Sequence, residues 1–174
     1  QYVVLNKPKD FVTRGDDPLA RKNVMGLVMR ACKERIFPLD KMDREATGLL
    51  LFTNDSDLTK KLNYSKQNLT RIYHITVDKP FQAEHLEKMM TGVHMDDEMM
   101  RVTNASYVDG KTSREIGAEV KTMRTKNVER MIERLGYSIV KIDRVQYGPL
   151  TKKDLPRGHY RHLTEQEVAF LKMI

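Results

Sequence analysis

Tryptophan is absent from the 174-residue chain, and cysteine occurs once, at Cys32. A lone thiol excludes an internal disulfide framework and fits a reducing compartment, so the expected location is cytoplasmic. No apolar run approaches the roughly 20 residues of a membrane-spanning helix, and no basic-then-apolar signal segment opens the chain. A membrane is therefore not an expected partner. Neither a P-loop nor a dinucleotide glycine fingerprint is present. His159 and His162 form an H-x-x-H in a loop-like stretch without a third ligand, so no metal is expected. Cys32, Ser65 and the scattered histidines make no nucleophilic triad. Internal repeats and low-complexity tracts are also missing.

What remains is a basic chain of ordinary globular composition. Hydrophobic residues make up 40% and charged residues 32%, with a net charge of +7, which favours a polyanionic partner. The length suits one domain that can bury a real core. The first residue is Gln1 rather than Met, so a fragment with something upstream is expected.

Tyr2–Leu5 reads as a short strand. Asp17-Pro18 is a good cap and first-turn pair for a helix running to about Lys33, with Val24, Leu27, Val28 and Ala31 on one face and Cys32 within its apolar pattern. Leu49–Thr53 is continuously apolar, hence a central strand, and a short polar helix follows it. Arg71–Val77 alternates at period two, with Tyr73, Ile75 and Val77 on one face. Gln82–Thr91 is helical and stops at Gly92. Met100–Val108 and Glu115–Lys121 read as strands joined through Asp109-Gly110. Asn127–Leu135 is an amphipathic helix closed by Gly136, Ser138–Val145 is a strand, and Thr164-Glu165-Gln166-Glu167 is a capping box for a final helix. The fold class is α+β, built on a largely antiparallel sheet with flanking helices.

The densest local chemistry is PLDKMDREATGLLLFTND, residues 38–55. Six residues, Asp40 to Glu45, carry five charges and lead through Thr47-Gly48 into the apolar strand. On the residues alone two readings stand: a solvated loop feeding a core strand, or a carboxylate, Asp43, held against that strand for chemistry.

Five stretches in order decide between them: LNKPKDFVT (5–13), the segment 38–55, RIYHITVDKP (71–80), VKTMRTKNVERMIERLGYSI (120–139) and DRVQYGPLTKKDLPRGHYRHLTEQEV (143–168). Together they resemble the RsuA-type bacterial ribosomal RNA pseudouridine synthases, end to end. The resemblance implies an isomerase that breaks the N-glycosidic bond of a chosen uridine in ribosomal RNA and rejoins the base through carbon, without metal or cofactor. It implies a pseudouridine-synthase-like catalytic domain over 1–174, with a small S4-type RNA-binding domain upstream. The family nucleophile falls on Asp43 and the family tyrosine on Tyr73, where Arg71 replaces the usual Lys of K-x-Y. Ile142 falls where relatives pack an apolar side chain on the uracil, and Gly48, which lets the backbone turn tightly into the strand, is expected with it in the base pocket. Lys7, Lys9, Lys41, Arg44, Arg71, Arg124, Lys126 and Arg144 are candidate phosphate contacts. A monomer is the default.

The chain departs from the family pattern around the nucleophile. Asp40-Lys41-Met42 stands for Gly-Arg-Leu, Ala46 for a Thr or Ser, and Glu129 for the basic residue that pairs with the nucleophile in relatives. Two nearby carboxylates raise at least one pKa. Arg130 points about 100° away around its helix, so Lys41 or Arg44 is the expected compensating cation. The alternative implied by these departures is a non-catalytic RNA-binding paralogue of the same fold.

Overall fold

The computed structural model describes residues 1–13, 22–64, 69–121 and 123–174. Along the chain lie β1 (Tyr2–Lys7), α1 (Val24–Val28), β2 (Phe37–Pro38), β3 (Ala46–Thr53), α2 (Ser56–Tyr64), β4 (Arg71–Val77), α3 (Ala83–Thr91) and β5 (Val93–Met95). Then follow β6 (Glu98–Met100), β7 (Asn104–Tyr107), β8 (Glu115–Val120), α4 (Thr125–Arg134), β9 (Ile139–Tyr147), β10 (Leu150–Thr151), β11 (Tyr160–His162) and α5 (Glu165–Met173). One sheet runs in the order β11-β1-β3-β9-β4-β8-β7, with β2 on β3 and β10 on β9, while β5 and β6 form a separate hairpin. Every pairing in the main sheet is antiparallel except β3 with β9. The expected α+β class holds.

The uninterrupted apolar run of β3 follows from its place in the middle of this sheet. Ala46, Leu50 and Phe52 face a core shared with Val24 and Val28 of α1 and with Val128, Met131 and Ile132 of α4. Leu49 and Leu51 face a second core containing Leu58 and Leu62 of α2 and Leu171 of α5. With helices on both faces, neither side of the strand meets water, so no polar alternation is needed. On β4, Tyr73, Ile75 and Val77 are buried and the residues between them half-buried, as the alternation predicts.

Several elements differ from the sequence expectation. The helix expected to reach Lys33 is α1, five residues capped by the Asn23 side chain, which accepts from the Met25 amide at 2.9 Å. Its proposed start at Asp17-Pro18 lies outside the described residues. Gly26 and the β-branched Val24 and Val28 are weak helix formers, and the chain turns after Val28 toward β2, so Cys32 lies beyond the helix and half-exposed. Met100 ends the β5–β6 hairpin instead of beginning β7; Asp96, with φ of 54°, makes its turn. His162 is in strand β11, paired to β1, where a loop was expected. The capping box of α5 forms as read, Thr164 and Glu167 satisfying each other's amides.

Candidate active site

Loop 39–45 enters β3 beside the parallel β3–β9 contact, where Ala46, Thr47 and Gly48 pair with Ile142, Asp143 and Arg144. Gly48 has φ of +110°, and a Cβ there would lie 2.3 Å from the Arg144 carbonyl oxygen and 2.5 Å from its nitrogen. Only glycine permits this approach. The expectation of Gly48 in the base pocket is corrected accordingly: it lies within β3 against the Arg144 backbone, and what it governs is how closely β3 and β9 meet.

Two buried cations hold the loop. Lys7, with no exposed surface, donates from Nζ to the carbonyl oxygens of Ala46 at 2.6 Å, Asp43 at 3.1 Å, Pro8 at 3.2 Å and Arg44 at 3.4 Å. Burial pushes its pKa down to about 8, against the opposing pull of Asp10, Asp43 and Glu45. Arg144, 1% exposed, donates from Nε to the Leu49 carbonyl at 2.8 Å and grips both Asp40 oxygens at 2.8 and 3.2 Å. Neither reaches solvent, so both fail as phosphate contacts. Their charge is spent on backbone carbonyls and on Asp40. Lysine and arginine in a basic chain read as surface, and nothing local marks these two as buried.

With its backbone fixed in this way, Asp43 opens onto a cleft of about 680 Å³ lined by Asp43, Glu45, Lys126, Glu129, Glu133, Ile139 and Ile142, among others. Lys126 Nζ lies 3.2 Å from Asp43 Oδ2. The compensating cation is thus Lys126, one turn before Glu129 on α4, and neither Lys41 nor Arg44. Hydrogen bonding to Asp43, reinforced by charge attraction to Asp43 and Glu129, raises the Lys126 pKa and keeps it an ammonium. Glu129 is 8% exposed and lines the cleft beside Asp43. Burial first, then the Asp43 contact, pushes its carboxyl up to about 8. The two carboxylates read from the motif therefore meet in the cleft, and the buried one, Glu129, is the one whose pKa rises.

Ile142 is buried and lines the cleft. Tyr73 has no exposed surface; it lies on β4 opposite Ala118 and Arg144, and its hydroxyl is 2.6 Å from Thr125 Oγ1 at the start of α4. It is not among the residues lining the cleft. Lys9 is exposed and 3.8 Å from Glu45, Lys41 and Arg44 are exposed, and Arg124 is exposed just before α4. Arg71 is half-buried, donating to the Lys121 carbonyl at 3.0 Å with its guanidinium over the Tyr147 ring.

A network behind the cleft escaped the sequence reading. Asp143 accepts from Thr47 Oγ1 at 2.9 Å, from Arg157 at 3.1 Å and from Lys152. Burial would raise its pKa, but hydrogen bonds from Arg157, Lys152 and Thr47 outweigh it and hold the carboxyl low. Arg157 also donates to Asn6, tying β1 to the segment before β11. The only sequence signal was that Lys152 and Arg157 fall within the last of the five family-like stretches. Among the described residues no group of three or more His, Cys, Asp and Glu is placed to hold a metal ion. No helix among them is long and apolar enough to cross a membrane.

Known structures share the fold. A crystal structure of a pseudouridylate synthase superposes with a TM-score of 0.83 at 22% identity, covering 98% of this chain and 73% of that one. An H/ACA RNP bound to a substrate RNA gives 0.62 at 11% identity over 90% of this chain and 50% of that one. At such identities the likeness is one of fold. The family follows from sequence: the family model for RNA pseudouridylate synthases matches residues 1–146, and the chain belongs to that family. It is 28% identical to an uncharacterized RNA pseudouridine synthase of Aquifex aeolicus, over 98% of this chain and 69% of the relative. The same identity relates it to ribosomal large subunit pseudouridine synthase B of Bacillus subtilis, over 99% and 72%. Dual-specificity RNA pseudouridine synthase RluF of Escherichia coli is also 28% identical over 97% of this chain, which spans 56% of that protein. The RsuA-type resemblance of the five stretches is borne out.

Proposed function

We propose that this chain converts a uridine of ribosomal RNA to pseudouridine, with Asp43 as the nucleophile. The observation that carries the reading is Asp43 at the mouth of a cleft, with an ammonium 3.2 Å away and Ile142 in the cleft lining. The named activities of the relatives support the reaction, and the Bacillus subtilis relative supports ribosomal RNA as substrate. A carboxylate can attack ribose or base and later leave, dividing a hard rearrangement into smaller steps. The N1–C1′ bond breaks, a C5–C1′ bond forms, C5 loses its proton and N1 gains one. The change is redox-neutral and needs no electron donor or acceptor, and the proposal follows the family resemblance in including neither metal nor cofactor.

Lys9, Lys41, Arg44, Arg71 and Arg124 serve as phosphate contacts in this reading, while Lys126 serves Asp43. A target base must leave its stack to reach Asp43. In this reading Tyr73 belongs to the base pocket, with its hydroxyl held by Thr125 at the start of α4. The proposal takes residues 1–174 as one catalytic domain, acting as a monomer in the cytoplasm.

The test uses ribosomal RNA tritiated at uridine C5. Tritium release by the wild type that disappears with Asp43→Asn is expected. Release that survives this substitution would refute Asp43 as nucleophile. A second reading, the non-catalytic RNA-binding paralogue, is favoured by the Glu129 carboxyl against Asp43. It requires RNA binding without release from the wild type.

A further inference from the structure

We propose that Glu129 is a positioning residue of this synthase: as a neutral acid it donates its carboxyl proton to the Asp43 carboxylate, while Lys126 supplies the positive charge, the two together replacing the single basic side chain expected after Val128. The inference rests on the pseudouridine synthase reading and adds how the nucleophile of this chain is held.

The geometry divides one task between two residues. A basic side chain after Val128 would offer Asp43 both a hydrogen-bond donor and a positive charge from one position. Here Lys126 and Glu129 stand three apart on α4, hence on one face, and both line the cleft with Asp43. Lys126 is mostly exposed, so its charge is diluted by water. Glu129 is buried beside Asp43, where its state decides whether the nucleophile has a donor or a second negative charge as its neighbour.

Among the described residues lining the cleft, the titratable groups around Glu129 are Asp43 and Glu45 from the loop, Lys126 and Glu133 from α4, and Tyr137 between α4 and β9; β9 itself contributes the apolar Ile139 and Ile142. Arg130 is turned away and committed to Asp96 at 2.7 Å. Of the four acids in the cleft Glu129 alone is buried, so it is the group that stays protonated. Its rise to about 8 agrees with this balance. Once ionised, Glu129 would repel Asp43 and compete with it for Lys126, and Asp43 would lose its orientation.

Two measurements test the proposal. The first is carboxyl carbon NMR of the full chain, following Glu129 from pH 4 to 10 with and without Asp43→Asn. Glu129 is expected to titrate well above the ordinary carboxyl range, and its midpoint to fall by about one unit or more when Asp43 is replaced. An ordinary midpoint, or one indifferent to Asp43, would overturn the pairing. This readout needs no turnover.

The second is tritium release across pH. Glu129→Gln keeps a donor but cannot ionise. From pH 7 to 9 the neutral fraction of a group titrating near 8 falls about tenfold, so the ratio of wild-type to Glu129→Gln turnover should fall about tenfold. Lys7, also drawn to about 8, is present in both proteins and cancels in the ratio. Glu129→Ala, with no donor, is expected to be slower than Glu129→Gln throughout. Parallel profiles for the wild type and Glu129→Gln would overturn the inference. Absence of Asp43-dependent release at every pH would instead sink the synthase reading, while the NMR titration would still decide the carboxyl pair.

Discussion

Replacing Gly48 by alanine tests whether the β3–β9 contact sets the site. The residue has φ of +110°, where an L side chain costs about 1–2 kcal/mol. The added Cβ would also lie 2.3 Å from Arg144 O, 2.5 Å from N and 2.8 Å from C. All three are backbone atoms of a central strand and cannot swing aside, so β3 and β9 must separate. The ladder between Ala46–Gly48 and Ile142–Arg144 would loosen, losing about 1 kcal/mol for each net hydrogen bond. The total is about 3–5 kcal/mol, or a fall of roughly 6–20 °C in Tm for a chain of this size. Gly110→Ala is the control: φ is +73°, but nothing lies within 4 Å of the added Cβ, so only the backbone cost of about 1–2 kcal/mol remains. Because Asp43 leads into β3 and Ile142 lies on β9, separating the strands also parts the nucleophile from Ile142. A displacement near 1 Å can cost about 100-fold in rate, so turnover should fall by that order at temperatures where Gly48→Ala is still folded. Equal melting shifts for the two variants, or full turnover by Gly48→Ala, would refute the reasoning.

Lys7→Met should lower tritium release at least about tenfold while shifting Tm less than Gly48→Ala, because the Lys7 ammonium bonds backbone carbonyls of Pro8 and of the Asp43–Ala46 stretch and its own burial opposes its charge; parallel kinetics and thermal melts check this. The Asp143 carboxyl is held low in the folded chain, so it contributes stability that is present above about pH 4 and lost as pH falls through its folded value. Urea midpoints between pH 5 and 2 should therefore fall more steeply for the wild type than for Asp143→Asn, and equal slopes would contradict the network.

The parts of the fold legible in the sequence were those written in local pattern. The period-two alternation of β4, the amphipathic stripe of α4 and the capping box of α5 each place a few neighbouring residues, and each formed as read. The β5–β6 hairpin was missed because its turn, Asp96-Asp97, lacks the Asn-Gly or Asp-Gly signal, and its strands are three residues long. Strand β11 exists only because β1 offers it an edge, information held more than 150 residues away. The site divides in the same way. Asp43 and Glu129 could be singled out by motif, and Lys126, three residues before Glu129, could have been recognised from helical spacing as its companion. The buried roles of Lys7 and Arg144 could not, since their acceptors, such as Ala46 O and Asp40, lie 39 and 104 residues away in sequence.

The charged run before β3 follows from how such a loop must be held. A segment whose working residue is an exposed carboxylate cannot be fixed by burying its side chains; only Met42 and Leu39 reach the apolar interior. It has to be fixed through its backbone and through those charges that do not work. Lys7 from β1 takes the carbonyls of Asp43, Arg44 and Ala46, and Arg144 from β9 takes Asp40. These cations come from the two strands that flank β3, so the same pairing that builds the sheet aims the loop. Buried cations cost desolvation free energy that an apolar pair would not, and a fold selected for stability alone would favour the apolar pair. Lys7 and Arg144 are intelligible instead as the means of holding one loop, and with it Asp43, against the cleft.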